Sequence, residues 1–345
     1  MMKENLRKSL ATPFVPHPAI KGAHAQTLMA FFIRRSTVFL SRNTEPRFFD
    51  LAPGVRVLGQ CSWQADRKTR PTLLTVHGLE GSADSAYMLG TAEKALAAGF
   101  NVIRLNVRSC GGTLGLTPTL YHAGLTDDLR RIIEELSERD GLNHLYLAGF
   151  SLGGNMALKL AGEYGAGVPA ALRGIIAVSP SIDLPSCADA IETRSNLIYR
   201  MSFMMSLRRS MREKARLFPE RYDESRLRGI WSIREFDDVY TAPHSGFRDV
   251  ADYYERASSL PYIKDAALPV LIIHSQDDPF IPFAPFTSED ITSNPNITLL
   301  TPANGGHCGF ISARPEGDDR FWAERKIVDF VKTMSEYGED PGFGI

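Results

Sequence analysis

The chain has 345 residues, 43% of them hydrophobic and 23% charged, with a formal net charge of −1. That is the make-up of a globular protein with a substantial core, in one large domain or two small ones. Near-zero net charge argues against nucleic acid or an anionic surface as a general electrostatic partner.

In chain order, residues 1–46 read as an arm carrying prolines and basic residues, packed on the outside of the domain. The arm opens with a polar, charged stretch that lacks the apolar core of a secretory signal. Its one apolar run, from Leu28 to Ile33, meets Arg34 and Arg35 and is far too short to span a bilayer. A cytoplasmic protein is expected. Residues 47–62 alternate as a hairpin turning at Pro53-Gly54. A short buried strand at 72–76 follows, then a helix at 85–98, a strand at 101–107 and a helix at 125–138. A strand at 145–148 leads into Gly149-Phe150-Ser151-Leu152-Gly153 and a helix at 155–163. Another strand lies at 174–178, and Pro180 breaks the alternation. Residues 181–262 are helical, polar and irregular, with few apolar runs from which to build a core of their own. Strands resume at 269–274 and 297–301, and a helix closes the pattern at 321–334. The alternation predicts an α/β core over 47–180 and 263–345 with a mostly parallel sheet, interrupted by a helical cap at 181–262. Cys61, Cys110, Cys187 and Cys308 show neither metal spacing nor a disulfide framework, so free thiols and no metal are expected.

The G-x-S-x-G at 149–153 is common by chance, but strand, turn and helix are the setting of a nucleophile elbow. There the serine backbone is strained, and residues two before and two after it pass too close for side chains. The turn lifts the Ser151 hydroxyl above the sheet and sets the Leu152 N–H beside it as an oxyanion donor. His307, in the loop Asn304-Gly305-Gly306-His307-Cys308-Gly309, is the expected base. His144 and His274 sit at or in strands and read as structural. Asp278 is the expected acid, with Asp277 its rival and Asp183 a further choice. Two adjacent buried carboxylates would repel, so one of the pair should be solvated or capping. The order Ser151, Asp278, His307 is that of an α/β-hydrolase. After the first core strand, His77-Gly78-Leu79 offers a second donor, the Leu79 N–H, with His77 orienting the loop.

These residues resemble the α/β-hydrolase superfamily and, within it, the AB hydrolase 4 or YheT-like family. The likeness runs from about residue 12 to 333. It includes His24-Ala25-Gln26-Thr27, His77 to Ser82, Tyr121-His122-Ala123-Gly124 with Asp127, Glu235-Phe236-Asp237, Gly246-Phe247, Tyr253-Tyr254 and Gly305 to Phe310. The resemblance implies an α/β-hydrolase fold, a mostly parallel central sheet flanked by helices with a helical cap insertion. It implies an esterase or lipase acting on carboxylic, acylglycerol or phospholipid esters without a cofactor, and it supports Ser151, Asp278 and His307 as a triad. Ser109 departs from the family's usual glycine after Arg108. No counterpart of the membrane anchor of eukaryotic relatives is expected. His122 and Asp127 form an H-x-x-x-x-D pattern, expected to cap and position rather than to move protons.

Residues 196–216 are basic and rich in methionine. Tyr199, Met201, Met204 and Met205 are expected to line an acyl pocket, because methionines adapt to variable apolar ligands. A basic amphipathic helix also suits transient contact between the cap and a membrane surface. Cys308 reads as a packing residue. The expected function is a serine carboxylic-ester hydrolase with a small-molecule or lipid ester as substrate. The alternatives are an acyltransferase using the same acyl-enzyme and a non-catalytic binding protein on a hydrolase fold.

Overall fold

The computed structural model describes residues 2–313 and 319–338. Helices α1 (Met2–Leu10), α2 (Ala23–Phe32) and α3 (Leu40–Asn43) precede the hairpin β1 (Thr44–Ala52) and β2 (Val55–Ser62). The core continues with β3 (Thr72–Val76), α4 (Ala86–Ala97), β4 (Asn101–Asn106), α5 (Thr126–Glu134), β5 (Leu145–Phe150), α6 (Leu152–Tyr164) and β6 (Leu172–Val178). Next come α7 (Leu184–Ile191), α8 (Leu197–Leu217), α9 (Ile233–Phe236), α10 (Ala242–His244) and α11 (Val250–Ala257). The chain then returns through β7 (Val270–Ile273), α12 (Glu289–Thr292), β8 (Ile297–Leu300) and α13 (Trp322–Gly338).

The eight strands form one sheet in the order β1-β2-β4-β3-β5-β6-β7-β8. Pairing is antiparallel from β1 to β2 and from β2 to β4, and parallel elsewhere. Every residue of β3, β4 and β5 is buried, because helices cover both faces. On one face Met88 and Ala92 of α4 pack with Phe330 and Val331 of α13 and with Leu6 and Leu10 of α1. On the other face lie Leu129 and Ile132 of α5 and Met156 and Leu160 of α6. Among the described residues no helix is long and apolar enough to cross a membrane.

The register brings the carboxyl ends of the parallel strands level. Val76 pairs with Gly149, Phe150 with Val178, Val178 with Ile273, and Ile273 with Leu300. The loops after β3, β5, β6, β7 and β8 therefore emerge side by side, the usual place for a ligand site in a parallel sheet.

The 1–46 arm packs on the core through Leu6 and Leu10, its Gln26 side chain is fully buried, and β1 begins within it at Thr44. The segment between β6 and β7 does gather an apolar cluster of its own, including Met204, Leu207, Met211, Tyr222, Leu227, Ile230, Phe236 and Tyr240. Several short stretches contribute to it, so no single run of the sequence announces it.

Candidate active site

Ser151 sits between β5 and α6 at φ 53°, ψ −118°, a strained conformation for a residue with a side chain. The turn can close only because its flanks are bare. A Cβ on Gly149 would collide with the Gly153 carbonyl, and one on Gly153 would lie 2.5 Å from the carbonyls of Val76 and His77. The Ser151 N–H donates to Val178 O at 2.9 Å, which ties the elbow to β6. Leu152 opens α6, so no helical carbonyl reaches its N–H.

His307 and Asp278 meet across the loops after β8 and β7, with His307 Nδ1 2.8 Å from Asp278 Oδ2. The Asp278 side chain is fully buried, and its Oδ1 accepts from the N–H groups of Phe280 and Ile281 at 3.1 and 3.0 Å. Burial opposes its ionised form, but His307 and these donors outweigh burial and hold the carboxyl below its ordinary value. Burial likewise opposes the His307 imidazolium. The Asp278 charge overrides it and raises the His307 pKa above 6.5. Asp277 does something else: it accepts from Gly306 N at 2.9 Å and from Asn304 Nδ2 at 3.3 Å, bracing the histidine loop. That loop lies beside the elbow. Cys308 N–H donates to Ser179 Oγ at 3.1 Å, and Cys308 Sγ is 3.9 Å from the same Val178 carbonyl that binds Ser151.

The loop after β3 approaches from the other side. A Cβ on Gly78 would fall 2.9 Å from Ser151 Cβ, so glycine is needed for that approach. His77 is fully buried, with Nδ1 2.8 Å from Gly78 O and Nε2 accepting from Val107 N–H at 3.2 Å. Burial lowers its pKa to about 4, so it braces the loop as a neutral ring. The amides flanking Leu79 are both held by tyrosines. Gly78 N–H donates to Tyr87 Oη at 3.0 Å and Glu80 N–H to Tyr121 Oη at 2.9 Å. Glu80 itself lies at φ 53°. Its carboxylate accepts from Tyr121 Oη at 2.9 Å and from Ser206 and Ser210 of α8, each at 2.7 Å.

The stretch from His24 to Thr27 reaches the same place. Thr27 Oγ1 accepts from His307 N–H at 2.9 Å. Gln26 donates to Ile20 O and Ile311 O, each at 3.1 Å, and accepts from Ile311 N–H at 2.7 Å. A Cβ on Gly306 would fall 2.6 Å from Thr27 Oγ1, and one on Gly309 2.8 Å from Gln26 O. The glycines of the histidine loop thus let it nest against the arm. His24 Nδ1 is 3.1 Å from Tyr199 Oη, and the two rings stack.

A cavity of about 1090 Å³, counting its mouth, opens at Ser151, Leu79 and Leu152. From α8 it is lined by Phe203, Leu207, Ser210, Met211 and Lys214. Tyr199, Met201, Met204 and Met205 are not among its walls, which corrects the expected acyl pocket. Successive helix residues are turned by about 100°. The face that carries 203, 207, 210 and 214 inward therefore turns 201 and 205 outward. Met201 and Met205 are exposed, while Met204 packs in the cap cluster. Tyr199 is buried between His24 and Phe280, whose ring lies 4.2 Å from that of His307.

His122 and Asp127 do not pair. His122 accepts from Gly124 N–H at 3.2 Å, and burial lowers its pKa to about 3. Asp127 is exposed beside Arg130. His274 is buried against the Phe286 ring, and neither ring nitrogen meets a hydrogen-bond partner among the described residues. Sequence reasoning missed Tyr87, Glu80, Ser206 and Ser210. Only the i, i+4 spacing of the two serines could have marked the last pair.

The alpha/beta hydrolase fold model matches residues 71–313. YheT of Escherichia coli, which carries the name of an esterase, is 29% identical over 95% of this chain and 95% of its own. Human phospholipase ABHD3 is 29% identical over 80% of this chain and 67% of its own. The esterase Pf2001 of Pyrococcus furiosus superposes with a TM-score of 0.57 at 17% identity, covering 87% of this chain and 96% of that one. The chain belongs to the alpha/beta hydrolase fold family.

Proposed function

We propose that the protein hydrolyses carboxylic esters through an acyl-enzyme on Ser151. The observation that carries this reading is the buried His307–Asp278 pair beside a strained, glycine-flanked serine. Ser151 Oγ attacks the ester carbonyl carbon and His307 Nε2 takes its proton. Asp278 fixes the Nδ1–H tautomer and stabilises the imidazolium. The amides of Leu79 and Leu152 hold the oxyanion. The alcohol leaves with the proton from His307. Water, deprotonated by His307, then attacks the acyl carbon and frees Ser151.

These steps call for no cofactor. The names of the relatives, an esterase and a phospholipase, agree with an ester substrate, small or lipid. All four cysteines are free, which suits action in the cytoplasm.

The test is a p-nitrophenyl ester series from acetate to palmitate on wild type and Ser151→Ala, with fluorophosphonate labelling read by peptide mass. A loss of at least about 10⁴-fold in kcat and an adduct on Ser151 are expected. Activity that persists in the alanine variant overturns the reading.

A further inference from the structure

We propose that the outer stripe of α8, together with Trp231, docks on the surface of a membrane bearing anionic lipids. Leu197, Ile198, Met201 and Met205 are 43, 71, 54 and 64% exposed, and Trp231 is 69% exposed. Large apolar side chains grouped this way on one face mark a contact surface. All but Ile198 line a groove with Arg200, Arg208 and Arg212, and the Arg208 guanidinium lies 5.0 Å over the Trp231 ring. Arg208 also donates to the carbonyls of Leu227 and Ile230, so the indole is held by a fixed neighbour.

Further along the same stripe stand Arg209, Arg212 and Arg216, all exposed, with Glu213 the one carboxylate beside them. Among the described residues none of these three arginines takes part in an ion pair, whereas Arg200 is matched by Glu192. The stripe is apolar at its N-terminal half and cationic at its C-terminal half. That is the chemistry of a helix lying in a headgroup layer, with its apolar side chains among the acyl chains and its cations on phosphates.

A second copy of the chain fits less well. It would set the same arginines against an apolar or basic surface with no row of carboxylates to meet them. The proposal concerns binding alone and does not rest on the esterase reading.

The test is sedimentation of the full chain with vesicles of phosphatidylcholine, with and without phosphatidylglycerol. Wild type is expected to pellet with the anionic vesicles and to be released by salt. Each arginine near such a surface is worth about fivefold in partition, so Arg209→Glu, Arg212→Glu and Arg216→Glu together should lower binding by roughly a hundredfold or more. Met201→Ser with Met205→Ser should lower it by about tenfold. Unchanged melting temperatures would show that both variants fold. Equal binding to neutral vesicles overturns the proposal, as does variant binding that matches wild type. A dimer that the same variants dissociate would assign the stripe to a second copy instead.

Discussion

The loops at the strand ends and the helix α8 hold their functional side chains in opposite ways. At the strand ends each residue is fixed by a backbone with little choice. Ser151 stands at positive φ between glycines that nothing larger can replace, and His307 follows Gly306, whose missing side chain lets the loop nest on the arm. On α8 the backbone is regular and places nothing in particular. Its residues acquire roles from what each side of the helix meets: His24 near its start, Glu80 at its middle, and Ser109 with Leu114 O beyond. Geometry written into such loops is set by steric need. The same geometry leans on α8 through side-chain bonds that single substitutions can cut.

The largest expected effect lies in the half built on loops. Asp278→Asn should cost about 10⁴-fold in kcat, through loss of the tautomer and of the imidazolium's partner. Asp277→Asn loosens only the bracing of the loop and should cost about tenfold or less. The pH profile separates them further. In the free enzyme kcat/KM should rise with pH as His307 loses its proton, with a midpoint above 6.5 because the Asp278 charge holds that proton on. In Asp278→Asn the largest opposition to burial is gone and the midpoint should fall. The raised pKa also bears on stability. The contribution of protonated His307 is fully present below the unfolded pKa, near 6.5, and is lost as pH rises through the folded value. Equal losses in the two asparagine variants would show that the wrong carboxylate has been paired with His307.

Next in size is the joint between the two halves. Glu80→Ala removes the acceptor for Tyr121, Ser206 and Ser210 at once and frees a strained loop beside Leu79. Misplacing one oxyanion donor is worth about 10² in kcat. Kinetic measurements should show kcat falling by about that factor with KM little changed, because the donor acts on the transition state. Glu80→Gln keeps an oxygen acceptor and should recover part of the loss. If Glu80→Ala raised KM alone, the clamp would belong to substrate binding and the coupling to the oxyanion loop would be wrong.

The difference between the halves also decides what could be read in the sequence. The elbow, the histidine loop and the His77-Gly78 turn are legible because steric need dictates residue type there: a glycine or a serine at a fixed offset carries the geometry with it. The strands are legible because burial on both faces demands continuous apolar runs such as 72–76 and 145–150. The sequence reading left Asp277 as a rival to Asp278, since register alone settles which of two adjacent carboxylates turns toward His307. The arm's grip on the histidine loop was invisible for another reason. Gln26 and Thr27 act across some 280 residues of chain, and local pattern carries no trace of a partner so distant. In the cap, methionine content suggested a pocket, but composition does not fix helical phase. One position of phase separates a cavity wall from an exposed side chain.

That phase gives the smallest effect expected and the most direct comparison within one helix. Phe203 and Leu207 face the cavity, whereas Met201 and Met205 face outward. Leu207→Ala enlarges the cavity that opens at Ser151. It should shift preference toward longer or bulkier acyl chains by about tenfold in relative kcat/KM, the scale of one or two methylenes in an apolar site. It should also lower stability by a few kcal/mol, about 2–5 for a buried leucine, because part of the space stays empty. Met201→Ala and Met205→Ala should leave chain-length preference unchanged on soluble esters and move stability by about 0.5 kcal/mol or less. The comparison is best made as a ratio of kcat/KM between butyrate and octanoate esters, which cancels any common loss of folded protein. Were the ratio to move with Met205 and not with Leu207, α8 would have to turn by roughly half a revolution in the working enzyme, and its inner bonds to Glu80 could not hold in that state.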